Sequence, residues 1–495
     1  MKKALNHKLN LIFVYVAIIL LGAIFIILPC IHKNLWFDES YSVAIANHKF
    51  ADIWAIGSND VHPILYYCML RIVKVLFNNN IIACRILSCV PLIIMSILGY
   101  THIRKDFGNK VGLLFSFFIL FWPTSIMYSG EIRMYTWSML FVAVMSIYTY
   151  RIFKDEFKVH NWVLFVIFSI CACYSHYYAL ILVFIENVML FFYFGNKTLK
   201  KKEKYYKNKF RASTISAIII VVAYIPWIGS FLSQAKNVSE GFWIGFPNYF
   251  SVVKFLFTGM IDYEKNIQGY VANVFAWCSL IYVIYLLKKN IKNDNTVKHC
   301  LWILVALTII VSVASIIQPI LYARYFLNYS GIFIFMLVLL LSKDDSKRVL
   351  TFWIITVLVS TIININLINQ NYDESNQIPI NYISERMQEN DIIITDADGF
   401  SGFAAIAELN FEDSKSYFLN DNNWNVEEAY KAFGKTIYDF DEFKEYKGQI
   451  WIVSGGDGLA NKVKDELENI QVLEEQHFET KYRNQDYSIV LINKN

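Results

Sequence analysis

Long apolar runs alternate with short polar stretches over the first three quarters of the chain. A helix needs about 20 apolar residues to cross a bilayer. Runs of that kind lie near residues 11–31, 81–103, 111–128, 134–152, 161–178, 179–194, 213–232, 271–287, 299–320, 325–341 and 348–367. The pattern predicts about eleven transmembrane helices. Two pairs, 161–194 and 299–341, are nearly continuous and must turn at polar spots, Ser175 to Tyr178 and Gln318 to Arg324. The first run follows Lys2, Lys3 and Lys8. It is longer than the roughly 7–15-residue core of a secretion signal, with no small-residue cleavage site after it, so a retained first span is expected.

From about Asn371 the period changes. Short apolar runs at Ile392–Thr395, Gln449–Val453 and Tyr487–Leu491 read as strands, and Ile380–Gln388 and Leu459–Glu468 as helices. The predicted architecture is an all-α polytopic membrane domain over 1–370 with a small C-terminal α/β domain over 371–495.

Composition supports this division. Hydrophobic residues make up 56% of the chain and charged ones 17%, against roughly 25% charged in soluble domains, which excludes a soluble globular enzyme. The net charge of +4 is small, and no nucleic-acid partner is expected; where the charge sits says more. With the N-terminus in the cytoplasm, the inner loops hold 24 Lys and Arg and the outer loops 9. Positive loops stay inside, so the N-terminus is expected in the cytoplasm and the C-terminal domain outside, on a multi-pass cell-membrane protein. Among the outer loops, Ile64–Phe77 after Pro63 reads as a helix lying in the interface, its Arg71 and Lys74 on one face and Arg71 turned to water. A second, 233–270 with Trp243, reads the same way. Cysteine adds little: none follows Cys300, and Cys171-Ala-Cys173 lacks the partners of a zinc site. Ser454-Gly455-Gly456-Asp457-Gly458 before a helix has the form of a phosphate-cradling turn, though a structural turn explains it better.

The acids and bases beside apolar sequence nearly all fall on the outer side. They are Asp38 and Glu39, Asp60 and His62, Glu131 with Arg133 and Tyr135, His176, and Arg324 with Tyr325. Charges near a membrane are costly and usually functional, and five clusters on one face point to one shared cavity. Asp38 and Asp60 each read either as helix caps or as carboxylate bases. Were residues 131–135 helical, Glu131 and Tyr135 would share a face. Arg133 either pairs with Glu131 or holds a phosphate.

Leu35-Trp36-Phe37-Asp38-Glu39-Ser40, Asp60-Val61-His62-Pro63-Ile64-Leu65-Tyr66-Tyr67, Arg85-Ile86-Leu87-Ser88 and Tyr128-Ser129-Gly130-Glu131-Ile132-Arg133-Met134-Tyr135, in this order, resemble the bacterial branch of the GT-C membrane glycosyltransferases. These are related to protein O-mannosyltransferases and aminoarabinose transferases. Arg324-Tyr325 resembles their late arginine–tyrosine motif. Two departures, Ile64 for a second proline and Gly130 for glutamine, carry no titratable group. The resemblance implies a GT-C fold and transfer of a sugar from a polyprenyl-phosphate donor to a glycolipid, wall polymer or protein acceptor at the outer face. It implies Asp38 as general base, with Glu39 and Asp60 as further catalytic acids. Substrate contacts would come from His62, Glu131, Arg133, Tyr135, His176, Arg324 and Tyr325. No metal ligand is identified, and a divalent cation is left open. The alternative is a polytopic transporter or lipid flippase, which would place ionisable groups at the midplane in repeated halves. Here only Glu186 lies there and no repeat is evident.

Overall fold

The computed structural model describes residues 2–240, 244–245, 248–261, 267–398, 401–409, 415–420 and 426–495; Trp243 lies outside them. Each of the eleven apolar runs is mainly helical, with 111–128 broken at Trp122 into Asn109–Phe121 and Pro123–Tyr128. By length and apolarity eight helices among the described residues can cross a membrane, from Leu9–Cys30 to Ser346–Asn371. Three helices on the other runs fall outside that set. Asn109–Phe121 and Val159–Cys173 are short, and Tyr135–Lys154 carries Thr136, Ser138, Ser146 and Thr149. This last helix is polar because neighbours shield it: Thr136 donates to the Ser88 carbonyl at 2.7 Å, Ser146 to Glu186 at 2.9 Å and Ser138 to Asn328. Beside it runs the equally central Ala323–Ser342, 83% buried along its span, whereas Leu9–Cys30 is 17% buried and peripheral.

The loop helix Leu65–Leu76 begins one residue after Ile64, as the preceding Pro63 favours. Its exposed face is the apolar one, Ile72, Val75 and Leu76. This corrects the expectation for its basic residues. Lys74 is buried, and Arg71 donates to the Asn47 carbonyl at 3.1 Å, capping helix Phe37–Asn47 rather than facing water. The loop 233–270 contributes the short helix Tyr249–Thr258.

The C-terminal domain is a six-stranded sheet of β1 (Ile392–Thr395), β2 (Ser416–Leu419), β3 (Lys435–Ile437), β4 (Gly448–Ser454), β5 (Ile470–Glu479) and β6 (Asp486–Lys494), in the order β3-β2-β1-β4-β6-β5. The first four strands in that order are parallel; β4, β6 and β5 are antiparallel. Side chains alternate across a strand. Ile392 and Ile394 pack with Leu459 and Val463 of helix Gly458–Glu466, while Ile393 belongs with Phe403 of helix Ser401–Leu409 on the membrane-domain side. The glycine turn after β4 is set among acids: Ser454 donates to Asp396 at 2.7 Å, and Asp398 stands 2.8 Å from where a Cβ on Gly456 would be. That surrounding repels a phosphate and leaves the turn a structural one.

The domain docks on the loop that follows the first membrane helix. Asn34 donates to the Asn371 carbonyl at 2.8 Å, His48 meets the Ala429 carbonyl at 3.2 Å, and the Phe37 and Phe403 rings lie 5.9 Å apart. The Leu35 amide donates to Glu408 at 2.5 Å, and burial of that carboxyl at the junction pushes it up to about 8.

Candidate active site

Helix Phe37–Asn47 starts where the first membrane helix and its short extension, ending at Cys30, give way to an extended loop. Its first turn carries Asp38 and Glu39, where the helix dipole favours negative charge. Two neighbouring acids, side by side in sequence, go to different places. Glu39 is fully buried and its four acceptor positions are taken: by Arg85 at 2.5 and 2.9 Å, the Ile132 amide at 3.1 Å and the Tyr482 hydroxyl at 2.7 Å. Arg85 also donates to the carbonyls of Gly130, at 3.0 Å, and Asn34. Gly130 fits because a Cβ there would lie 2.2 Å from Cys30 Sγ, so the glutamine of the family pattern has no room. Glu39, expected among the catalytic acids, is thus committed to holding the site together.

Asp38 faces a more open space, with its side chain 23% exposed. Oδ2 accepts from Arg324 Nη1 at 3.0 Å, and Oδ1 has no hydrogen bond among the described residues. The same Arg324 nitrogen reaches Glu131 Oε1 at 3.2 Å. Glu131 and Arg133 do not pair through their side chains. Residues 131–134 form a turn, and the helix starts at Tyr135, so Glu131 and Tyr135 do not share a helical face. Arg133 instead donates to the Asp38 carbonyl at 3.2 Å and Ser42 at 3.1 Å, with its other arm 3.4 Å from His62 Nδ1. Burial pushes the Glu131 carboxyl up against the pull of Arg324.

Asp60 lies deeper, 6% exposed. It accepts from Tyr67 at 2.8 Å and stands 3.9 Å from His62 Nδ1. Burial raises its carboxyl despite Arg133 nearby. His62, His176, Tyr135 and Tyr325 form an aromatic wall. His176 lies 5.5 Å from His62, 5.6 Å from Tyr135 and 4.9 Å from Tyr325 between ring centres. His176 also caps helix Tyr177–Lys201 by accepting from the Tyr178 amide at 3.1 Å. Burial, with Arg133 and Arg324 close by, lowers its imidazolium to about 3, so the ring is neutral.

All ten residues expected at the site therefore gather at one end of the bundle. Several buried polar atoms there make no hydrogen bond among the described residues: Trp36 Nε1, Glu131 Oε2, Arg133 Nε, His176 Nε2 and Arg324 Nε. Each such atom costs about 1–3 kcal/mol. Gathered in one place, they leave hydrogen-bonding capacity that a polar ligand could use. Among the described residues one cluster has the make-up for gathering a metal ion, Asp457, Glu475 and His477 on the exposed side of the C-terminal domain. Lys464 already pairs with Glu475 at 3.0 Å, and no acid of the candidate site belongs to that cluster.

Four contributors are not among the site residues expected from sequence: Arg85 and Trp36, which lie within the motifs, and Tyr482 and Arg483. Arg85 had a usable signal, a charge set one turn inside an apolar run. Trp36 stacks between cations, with Arg324 5.5 Å and Arg483 4.6 Å from its ring centre.

Residues 61–227 match the family model described as dolichyl-phosphate-mannose-protein mannosyltransferase. Over its whole length the chain shares its fold with the crystal structure of ArnT from Cupriavidus metallidurans in the apo state, at TM-score 0.50 and 10% identity, with 98% of each chain covered. The chain has the GT-C fold. ArnT bound to undecaprenyl phosphate matches this GT-C chain at TM-score 0.47 and 10% identity, with 97% of each chain covered. The Archaeoglobus fulgidus oligosaccharyltransferase in complex with Zn and sulfate matches at TM-score 0.47 and 12% identity, covering 91% of this chain and 70% of that one. No curated protein matches the GT-C chain in sequence.

Proposed function

We propose that the protein transfers a sugar from a polyprenyl-phosphate donor to a hydroxyl acceptor at the outer face of the membrane, with Asp38 as general base. The observation that carries this reading is the gathering around Asp38, Arg133 and Arg324 of buried polar atoms that make no hydrogen bond among the described residues. The donor class follows the matched family, whose own donor is dolichyl phosphate mannose. An outward site also fits a lipid-tethered donor, since soluble nucleotide sugars stay in the cytosol. Asp38 is favoured over Asp60 because it is the more exposed and has one oxygen free, while Asp60 is enclosed by tyrosine.

In the transfer step the acceptor hydroxyl gives its proton to Asp38 Oδ1 as its oxygen bonds to the anomeric carbon. The bond from that carbon to the phosphate oxygen breaks, and polyprenyl phosphate leaves as an anion. It needs a cation rather than a proton. Arg324 and Arg133 supply one, with Nε of each making no hydrogen bond among the described residues. A guanidinium grips phosphate through a planar fork that an ammonium lacks. Arg324→Lys is therefore expected to lower transfer by about tenfold or more in membranes supplied with polyprenyl-phosphate sugar, despite keeping the charge. Unchanged transfer would remove Arg324 from the phosphate site.

We further propose that this face is extracytoplasmic, on the loop-charge asymmetry. In intact cells lacking the exposed Cys278, a membrane-impermeant thiol reagent is expected to label a cysteine at Glu445 and spare one at Lys207. The reverse pattern would turn the site inward.

A further inference from the structure

Between the membrane helices and the C-terminal domain lies a cavity of about 240 Å³, bordered by His32, Glu39, Arg85, Glu131, Lys481 and Arg483. Lys481 and Arg483 come from the turn joining β5 to β6. The turn is firmly built: the Asn376 side chain accepts from the Lys481 amide at 3.0 Å and the Tyr482 amide at 2.8 Å, and Thr480 donates to the Gln485 carbonyl at 3.1 Å. Tyr482 then reaches Glu39 at 2.7 Å. Arg483 and Asn484 hold φ of 56° and 48°, a conformation that costs a non-glycine residue energy and is often found where function requires it.

What this geometry achieves is the placement of one guanidinium. Arg483 lies over Trp36, 4.6 Å from its ring centre, and stands 4.0 Å from Glu131 Oε2, beyond hydrogen-bond reach. Its side chain is 43% exposed and makes no hydrogen bond among the described residues. Arg324 approaches the same indole and the other Glu131 oxygen. Two guanidinia thus flank one ring and one carboxylate. The Arg483 fork makes only this loose ion pair, and Trp36 Nε1 and Glu131 Oε2 are buried beside it with no hydrogen bond among the described residues. The charge around the cavity is also unbalanced. Burial keeps the His32 ring neutral, and three cations, Arg85, Lys481 and Arg483, face two carboxylates, Glu39 and Glu131, so the wall is net cationic. An open guanidinium fork over such a wall matches a phosphate.

We infer that Arg483 binds the phosphate of the lipid-linked donor, so that the C-terminal domain completes the substrate site. This rests on the transfer reading above. The test uses the full-length protein in detergent and follows binding by native mass spectrometry, with farnesyl phosphate, farnesol and inorganic phosphate as probes. Wild type is expected to bind farnesyl phosphate more tightly than either other probe. Arg483→Ala and the stem-preserving Arg483→Gln should each weaken farnesyl phosphate about tenfold or more and leave farnesol unchanged. Wild-type binding that either variant retains within about twofold would overturn the role of Arg483 and spare the transfer reading. Failure of wild type to bind farnesyl phosphate would overturn both. Equal binding of inorganic phosphate and farnesyl phosphate would make the pocket a site for free phosphate and end the lipid assignment.

Discussion

Asp38→Asn is expected to abolish sugar transfer while the protein stays inserted and folded. The change is nearly isosteric and keeps an acceptor oxygen for Arg324, but an amide takes no proton from an attacking hydroxyl. A positioned base contributes about 10²–10⁴ in rate, whereas Asp38 lies in the first turn and caps nothing, so losing its charge costs the helix only about 0.3–1 kcal/mol. Asp60→Asn serves as the contrast. Asp60 is enclosed and bonded to Tyr67, so its loss should act through the setting of His62 and Arg133 and give a smaller defect. Full activity in Asp38→Asn with none in Asp60→Asn would exchange the two roles.

The second large effect concerns stability. Arg85→Ala removes the partner of a fully buried carboxylate and cuts ties to Gly130, Asn34 and Tyr482 at once. Breaking a buried ion pair from one side costs about 3–5 kcal/mol, whereas replacing both partners by apolar side chains of similar size is often tolerated. Arg85→Ala should lower the thermal midpoint in detergent and expose residues 371–495 to protease, since Glu39 and Tyr482 join the two parts there. Glu39→Met with Arg85→Met should recover part of the midpoint. If Arg85→Ala melts like the wild type, the pair is not holding the domains together.

Much of this organisation is legible in the sequence because membrane burial speaks through run length. Every apolar run is mainly helical, and polar residues on Tyr135–Lys154 are explained by its central place. In the C-terminal domain the strands β1, β4 and β6 carry continuous apolar residues and are readable. The short β2 and β3 span four and three residues. The edge strand β5 is exposed along nearly its whole length and reads as polar loop.

At the site, charges in the loops at one end of the apolar runs mark the neighbourhood but not the pairings. Glu131 and Arg133, two apart, point to different sides of a turn, and Glu131 finds Arg324, 193 positions away. Local spacing cannot show such a partner. Tyr482 meets Glu39 across 443 positions, from a hairpin turn whose own sequence carries no catalytic pattern. Sequence alone cannot separate Glu39 from Asp38 for a related reason. Its neighbour Asp38 and the shared motif mark both acids alike, and only the packing of Arg85 separates their roles.

The central claim, a lipid-linked donor consumed at Asp38, is tested most directly by mass spectrometry of surface glycans and polyprenyl-linked sugars. Cells carrying wild-type protein are compared with cells carrying Asp38→Asn at equal protein level. The account predicts that the mutant cells accumulate one polyprenyl-phosphate sugar and lose the corresponding sugar from a surface molecule. Identical lipid-linked sugars and surface glycans in the two strains would contradict it.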